Sequence, residues 1–245
     1  MATIGAGADL GDDRRHGMIT PMSRSTFVRQ PLPQVRWRYD RTARWYRAAE
    51  ITILLPQRLR QKAVRRLALL PGETVLEIGC GTGRNLPLLC DAVGDEGRVI
   101  GVDASSAMLA RARQWVTRQH KQNVRLLQQD AAELGLPGQV DAALFSLSYS
   151  VLPDRATVLR KTWETLRPGG CLVIMDAGLP DSPLGRLLGP VGELIATIFP
   201  GDPYSRPWED LTSLSSAVQS EWFQLGIYFI CTVRKPGKSE LQTPC

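Results

Sequence analysis

The sequence predicts an α/β fold in which a mostly parallel, doubly wound sheet carries helices on both faces. From residue 74 onwards, apolar strand-like runs alternate with helical patterns over short connections, which is typical of right-handed crossovers between parallel strands. The apolar run at residues 75–78 opens into a glycine loop at residues 79–83, and Asp103 ends the next apolar run. Such a loop and such an acid, at the carboxyl ends of neighbouring strands, are typical of a nucleotide site.

The individual elements follow from local patterns. Residues 36–70 are predicted to be helical, because an apolar face recurs among arginines, with an interruption at Pro56. Ser182 is predicted to cap a later helix at residues 183–199, which Pro190 kinks. The predicted strands are 74–78, 98–102, 124–128, 140–145, 171–175, 218–222 and 227–233. The predicted helices between them are 85–90, 105–120 and 155–166, with an ambiguous short segment at 131–134.

The composition is that of one globular domain. The chain has 245 residues, of which 43% are hydrophobic and 22% charged, and this length can form a sizeable core. Five cysteines are scattered without a metal-like pair, which favours a reduced cytoplasmic setting and no bound metal. No run reaches the roughly 18 apolar residues that cross a bilayer, and the first 25 residues lack the apolar core of a secretory signal.

The charge is concentrated at the amino-terminal end. Residues 1–70 hold 14 Lys and Arg against 5 Asp and Glu, a net charge of +9, whereas residues 71–245 hold 16 against 19, a net charge of −3. A basic flank favours peripheral contact with an anionic membrane surface, and the alternative is a solvated, arginine-rich leader. No aromatic and basic strand pattern supports a nucleic-acid partner.

The spacing of the glycine loop bears on the ligand. A dinucleotide site has the pattern Gly-x-Gly-x-x-Gly, with a helix N-terminus facing a pyrophosphate. Here the pattern is Gly-x-Gly-x-Gly, and Glu77 stands just before it. An acid at this position would repel a pyrophosphate, which disfavours a nicotinamide dehydrogenase, and would suit a cationic ligand. Asp103, at the tip of the second strand, suits a ribose because its carboxylate accepts hydrogen bonds from both hydroxyls.

Four motifs in this order resemble the class I S-adenosylmethionine-dependent methyltransferases over about residues 35–178. They are Val75-Leu76-Glu77-Ile78-Gly79-Cys80-Gly81-Thr82-Gly83 with Val102-Asp103, then Asp130-Ala131-Ala132-Glu133, Val140-Asp141-Ala142-Ala143-Leu144-Phe145-Ser146, and Leu166-Arg167-Pro168-Gly169-Gly170-Cys171-Leu172-Val173-Ile174. The resemblance implies a Rossmann-like, seven-stranded sheet whose last strand is antiparallel, and S-adenosylmethionine as cofactor.

The resemblance also implies a role for each residue of the cofactor site. Glu77 would lie near the methionine end, Asp103 would bind the ribose, and Asp130 would accept a hydrogen bond from the adenine amino group. Ser146 would stand where cofactor and acceptor meet, and Tyr39 would belong to a lid helix. The remaining implied cofactor contacts are Gly79, Gly81, Gly83, Ala104, Met108 and Ala131. For Asp103 and Asp130 the alternative is a turn or cap acid, and for Met108 it is core packing.

The acceptor is less closely defined. The two histidines, His16 and His120, lie outside the motifs, which disfavours a histidine base and favours an amine or an already acidic carbon or oxygen. Residues 145–150 lack the Asn/Asp-Pro-Pro-Tyr/Phe signature of enzymes acting on nucleobase amines or protein glutamines, and resemble small-molecule and lipid branches instead. Candidate acceptor residues are Tyr149, with packing as the alternative, and Tyr204, Arg206 and Trp208 in the later loop.

These observations predict a cytoplasmic or membrane-peripheral methyltransferase of a small or lipid-like acceptor. An amine is favoured, with a quinone carbon or a polar natural product as alternatives, and a catalytically silent cofactor-binding module as the alternative of another class. Residues 1–30 are predicted to be a disordered leader and 236–245 a tail, on either side of a domain at 31–235. Within that domain the predicted parts are lid helices at 36–70, a cofactor-binding core at 72–178 and an acceptor-side helix and loop at 182–210.

Overall fold

The structure, a computed structural model, describes residues 30–43, 57–180, 182–198 and 201–237. The predicted leader, apart from residue 30, and the middle of the predicted lid segment lie outside the described residues. The same holds for residues 238–245 of the predicted tail.

A single seven-stranded sheet with the order β3-β2-β1-β4-β5-β7-β6 organises the molecule. Neighbouring strands from β3 to β5 are parallel, and β7 runs antiparallel to both β5 and β6. The predicted doubly wound, mostly parallel sheet is thereby confirmed. The strands are β1 Thr74–Ile78, β2 Arg98–Asp103, β3 Val124–Gln128, β4 Val140–Ser146, β5 Leu166–Ala177, β6 Gln219–Phe223 and β7 Tyr228–Arg234.

Helices connect and cover these strands. They are α1 Leu32–Thr42, α2 Gln57–Leu67, α3 Leu86–Val93, α4 Ser106–Arg118, α5 Arg155–Thr165, α6 Pro183–Ile198 and α7 Pro207–Thr212. Ser105 caps α4 by accepting a hydrogen bond from Met108 N, and Asp154 caps α5 in the same way from Thr157 N. The ambiguous segment is a short 3-10 turn at Ala131–Glu133, capped by the side chain of Asp130.

The largest departure from the predicted elements is β5. Its expected start was residue 171, but it begins at Leu166, which pairs with Val140 before the register shifts. Lys235 holds this early segment, because its backbone bonds Gly169 and Gly170 and its Nζ donates to Leu166 O at 2.7 Å. The sequence Arg-Pro-Gly-Gly is typical of a turn. It becomes part of the sheet only because the chain at the end of β7 pairs with it.

Two apolar layers enclose the sheet. On one face Val75, Leu144 and Val173 pack with α2 and α3, and on the other Leu76, Phe145 and Ile174 pack with α5. Alternate side chains of each strand point to opposite faces, which explains why the central strands are nearly continuous apolar runs. Among the residues described, no helix has the length and apolar character that a bilayer crossing requires.

Parallel strands place their carboxyl ends at one edge of the sheet. Gly79 follows β1, Asp103 ends β2 and Ser146 ends β4, so the chemistry-bearing residues of three strands meet there. The fold thus builds one crevice from segments far apart in sequence.

Candidate active site

A cavity lies at this carboxyl edge, between the sheet and the two amino-terminal helices α1 and α2. Ten of the eleven predicted cofactor residues line it: Tyr39, Glu77, Gly79, Gly81, Asp103, Ala104, Met108, Asp130, Ala131 and Ser146. Residues that the motifs did not single out also line it, namely Arg36, Arg60, Arg84, Asn85, Ser148, Val151, Leu152 and Pro153.

The glycine loop is shaped by close contacts and by positive φ angles. Gly79 has φ +68°, and a Cβ atom there would lie 2.5 Å from Ser148 Cβ. Gly81 also has a positive φ, +54°, and lines the cavity. Larger residues would be strained at both positions, so the backbone can approach a ligand closely.

Gly83, the eleventh predicted cofactor residue, lies outside the cavity lining. Its φ is +79°, and an added Cβ would lie 2.6 Å from Leu86 Cδ1 and 3.1 Å from Ala112 Cβ. The glycine therefore lets the loop pack against α3 and α4, and its predicted cofactor contact stays a prediction.

Asp103 fixes the loop and keeps capacity for a ligand. Its Oδ2 accepts from Gly81 N at 2.8 Å, and its Oδ1 accepts from Ser105 N at 2.8 Å. Burial raises the pKa of this carboxyl above its usual value, although the two amide bonds act in the opposite direction. A carboxylate has about four acceptor sites, so both oxygens can still accept from ribose hydroxyls.

Glu77 is a buried carboxylate beside the loop. Its Oε1 accepts from Asn85 Nδ2 at 2.5 Å, while Oε2 has no hydrogen-bond partner among the described residues. Burial raises the pKa of Glu77 to about 7, and the Asn85 bond and the Arg60 charge only partly oppose this. An incompletely bonded buried carboxylate fits a cationic ligand, which would pair with it and lower its pKa.

Arg60 is a site residue that the sequence analysis missed. It lies on α2, is only 4% exposed and lines the cavity. Its Nη1 donates to Ser146 Oγ at 3.1 Å and to Asn85 Oδ1 at 3.3 Å. A chain of side chains thus joins the end of β4 to Glu77. Its burial could have been predicted from the sequence, because Arg60 lies on the same face of the helix as the buried Ala63, Val64 and Leu67.

Helix α1 borders the cavity, and its role as a lid stays a prediction. Val35 and Tyr39 line the cavity from this helix. Asp40, between Tyr39 and the solvent-facing Arg41, accepts from Ser105 Oγ at 2.6 Å and from Ala107 N at 3.3 Å. A carboxylate at the N-terminus of α4 is favourably placed, so Asp40 anchors α1 to that helix.

The side predicted for the adenine is built at the ends of β2 and β3. Met108 is 2% exposed and also lines the cavity, so core packing and ligand contact are compatible for it. Asp130 accepts from Ala132 N at 2.9 Å through Oδ1, and thereby shapes the turn that carries Ala131. Asp130 can cap the turn and bind a ligand at the same time, since its second carboxylate oxygen can accept a further hydrogen bond.

The four predicted acceptor residues lie elsewhere. Tyr149 is fully buried, its ring meets Phe145 edge-on, and its hydroxyl donates to Asp210. Tyr204 donates to Glu193, Arg206 pairs with Glu209 at 3.7 Å, and Trp208 packs against Trp222 and Phe229. None of the four lines the cavity, and their role towards an acceptor stays a prediction.

Replacing Tyr149 with phenylalanine is expected to lower stability without changing the site. The change removes the 2.8 Å bond to the Asp210 carboxylate, and such a bond contributes roughly 1–2 kcal/mol. Urea unfolding should report this loss, whereas cofactor affinity in calorimetry should stay within about twofold of the wild type, near experimental scatter. An unchanged unfolding midpoint together with a raised acceptor KM would return Tyr149 to the acceptor wall.

The fold and the site define a class of protein. Residues 75–170 match the family model described as a methyltransferase domain. In sequence and in fold, this segment belongs to the class I S-adenosylmethionine-dependent methyltransferases, and S-adenosylmethionine is the cofactor that the domain implies. The buried Glu77 and the loop-holding Asp103 fit that cofactor, because it carries a sulfonium, an ammonium and two ribose hydroxyls.

Several relatives are similar to part of this chain. The demethylmenaquinone methyltransferase of Lactococcus lactis is 33% identical over 126 residues, 51% of this chain and 50% of that protein. That of Listeria monocytogenes is 31% identical over 134 residues, 54% and 56% of the two chains. The arsenite methyltransferase of Halobacterium salinarum is 34% identical over 110 residues, 44% and 28%. The chain thus spans about half the length of the two quinone-named relatives.

Solved structures share the fold more widely. A SAM-dependent methyltransferase from Aquifex aeolicus superimposes with a TM-score of 0.56 at 21% identity, covering 76% of this chain and 96% of that one. A [4+2]-cyclase superimposes with a TM-score of 0.60 at 20% identity, covering 74% and 81%. Since these neighbours include a protein named for a different reaction, the likeness speaks for the fold alone.

Proposed function

We propose that this protein transfers a methyl group from S-adenosylmethionine to a small or lipid-like acceptor. The observation that carries the proposal is Glu77, a buried carboxylate with one unpartnered oxygen among the described residues, in a cavity lined by a methyltransferase glycine loop. An acid at this position would repel the pyrophosphate of a dinucleotide, whereas it would attract a cation. Proteins with the same fold differ in chemistry, so turnover is the decisive test.

The proposed mechanism relies on binding and alignment. Bound S-adenosylmethionine supplies a methyl group already activated on a sulfonium. Asp103 holds the ribose while it fixes the glycine loop, and Glu77 provides the charge that complements the cation. The lid helix α1, anchored by Asp40, excludes water from the crevice. Because the methyl group is already activated, the protein needs only to align the reactants and to exclude water.

The positive charge of Arg60 can take the place of a histidine base by favouring the deprotonated acceptor. Its guanidinium lies at the end of β4, beside Ser146, where an acceptor would meet the methyl group. A fixed positive charge lowers the pKa of a nearby amine or of a nearby hydroxyl alike, because it favours the deprotonated form. The acceptor can therefore present a lone pair or an anion without a dedicated base.

An amine is the first candidate acceptor, as in lipid N-methylation, and a quinol-type carbon is the second. The second is favoured by the names of the relatives from Lactococcus and Listeria. The apolar residues Leu147, Val151, Leu152 and Pro153 on the acceptor side of the cavity support a lipid-like molecule over a polar natural product. A cytoplasmic location and a role in lipid metabolism belong to the same proposal.

Turnover of methyl-labelled S-adenosylmethionine tests the proposal. The acceptors would be phosphatidylethanolamine, a prenylated 1,4-naphthoquinol and a polar catechol, each with calorimetry of cofactor binding in parallel. A labelled product identifies the acceptor class. Cofactor binding without any labelled product, here or with a total lipid extract, would instead establish the silent cofactor-binding module. Absence of cofactor binding at millimolar concentration would refute the proposal.

Replacing Arg60 with methionine is expected to lower kcat about a hundredfold while the affinity for S-adenosylmethionine changes less than tenfold. The guanidinium acts on the acceptor through its fixed charge, and removing one such preorganised electrostatic group costs about 10²–10³ in kcat. Arg58→Met is the matched control, because Arg58 is an exposed neighbour on the same helix. Equal losses in the two variants, or a loss confined to cofactor affinity, would contradict this role.

A further inference from the structure

Helix α1 also presents exposed side chains at its outer side, next to the cavity that it lines. Its inner face carries the buried Val35 and the anchoring Asp40, whereas Trp37 on its outer face is 59% exposed. The guanidinium of Arg41 lies 4.8 Å from the Trp37 ring centroid, and Arg36 is also exposed. Tryptophan is usually well buried, and an exposed one beside cationic side chains is typical of a membrane–water interface.

The two amino-terminal helices are strongly basic. Helices α1 and α2 together carry eight basic side chains and a single acid, Asp40, which is bound to Ser105. Glu221 of β6 pairs with Lys62 and Arg66 of α2. Of the basic residues, Arg36, Arg41, Arg58 and Arg65 are exposed. Since the chain beyond residue 70 has a net charge of −3, an anionic surface would attract this side of the molecule preferentially.

The same helix borders the cavity. Leu32, Val35, Arg36 and Tyr39 all line it from α1, so the outer face and the cavity mouth are parts of one structure. We infer that the outer face of α1, formed by Arg36, Trp37 and Arg41, docks on an anionic lipid surface beside the cavity mouth. This docking rests on the proposed function, because it brings the site next to a lipid-like acceptor. The apolar lining favours a bilayer over RNA, which shares only the charge.

Vesicle sedimentation of the full chain tests the inference. The probes are vesicles of phosphatidylcholine with a quarter phosphatidylglycerol, and vesicles of phosphatidylcholine alone, each at low and high salt. The inference requires binding to the anionic vesicles that weakens with salt, since exposed charges are screened beyond about 10 Å at 0.1 M. Binding that ignores lipid charge or salt, or no binding, overturns it.

The variants locate the surface. Arg36→Gln with Arg41→Gln is expected to weaken partitioning about 25-fold, because each basic residue near an anionic membrane contributes about fivefold. Trp37→Ala should weaken it further at both salt concentrations, because its contribution is not ionic. The matched controls are Arg118→Gln with Arg125→Gln, and Trp222→Ala, which are exposed residues on other elements. Equal losses in controls and α1 variants would overturn the placement on α1.

Two further readouts separate this inference from its alternatives. Thermal unfolding of each variant shows whether the fold is retained, and a loss of partitioning in a folded variant supports the docking surface. If the protein bound single-stranded RNA as strongly as vesicles, the partner of this surface would be a nucleic acid and the inference of a lipid would be wrong. Cofactor affinity is measured separately. Intact cofactor binding without vesicle binding refutes the docking alone, whereas absent cofactor binding refutes the proposed function.

Discussion

Replacing Asp103 with alanine is expected to weaken S-adenosylmethionine binding by about a hundredfold or more. Two hydrogen bonds from ribose hydroxyls to this carboxylate would be lost, and bonds to a charged group contribute roughly 1.5–3 kcal/mol each. The change also releases Gly81 N and Ser105 N, which Asp103 holds at 2.8 Å. The glycine loop would then lose the conformation in which it approaches the ligand. Titration calorimetry at constant ionic strength measures the effect.

Two control variants make this result interpretable. Asp103→Asn keeps the shape and one amide bond but not the charge, so its affinity should lie between those of the wild type and the alanine variant. Asp95→Asn changes an exposed acid, 92% of whose side-chain surface is accessible, and should bind like the wild type. Wild-type affinity in the Asp103→Ala variant would refute the assignment of the ribose site, and with it the electrostatic basis of the proposed function.

The sequence was sufficient for the parts of this site that depend on the backbone. The glycine loop, Asp103 and Asp130 follow directly after predicted strands, and parallel strands bring such positions to one edge whatever the side chains are. Their neighbours in space could thus be inferred from chain order alone. Chain order alone did not give the reversal of the last strand, which was implied by the resemblance to a family.

Residues whose role depends on tertiary contacts were harder to predict from the sequence. Arg60 enters the site because α2 packs over the carboxyl edge of the sheet, and a local pattern contains no information on which crevice a helix covers. Tyr149 illustrates the converse, because the structure places it outside the cavity lining. It follows β4 closely, but a 3-10 turn at Tyr149–Val151 rotates its ring into the core, where it meets Phe145 and Asp210. Short turns reorient side chains in ways that spacing does not predict.

The buried carboxyl of Glu77 is expected to make both the stability of the protein and its affinity for the cofactor depend on pH. Its pKa is raised from 4.5 to about 7 in the folded chain, chiefly by burial. A group whose folded pKa is raised stabilises the fold below its unfolded pKa, and this contribution is lost as the pH rises towards the folded value. Between about pH 4.5 and 7 the ligand-free protein should therefore lose about 3 kcal/mol at this site, by conversion of the two pKa values.

Replacing Glu77 with glutamine should raise the melting temperature of the ligand-free protein at pH 8 by several degrees, since 1 kcal/mol corresponds to about 2–4 °C at this size. The same variant should lose the thermal shift that S-adenosylmethionine gives the wild type. In the wild type, cofactor affinity should fall by up to about tenfold for each pH unit below 7, because the protonated carboxyl cannot pair with a cation.

Asp176 provides the contrasting control. Burial raises its pKa to about 6 as well, but its oxygens accept from Ser150 N, Ser150 Oγ and Ala177 N. Asn at that position would disrupt satisfied bonds, so Asp176→Asn should lower the melting temperature at pH 8, opposite to Glu77→Gln. A stabilised Asp176→Asn would mean that burial alone, and not the missing partner of Glu77, sets these energies. A destabilised Glu77→Gln would contradict the stability cost assigned to the buried carboxylate. A carboxylate that costs stability until a cation arrives is what distinguishes a binding group from a structural one.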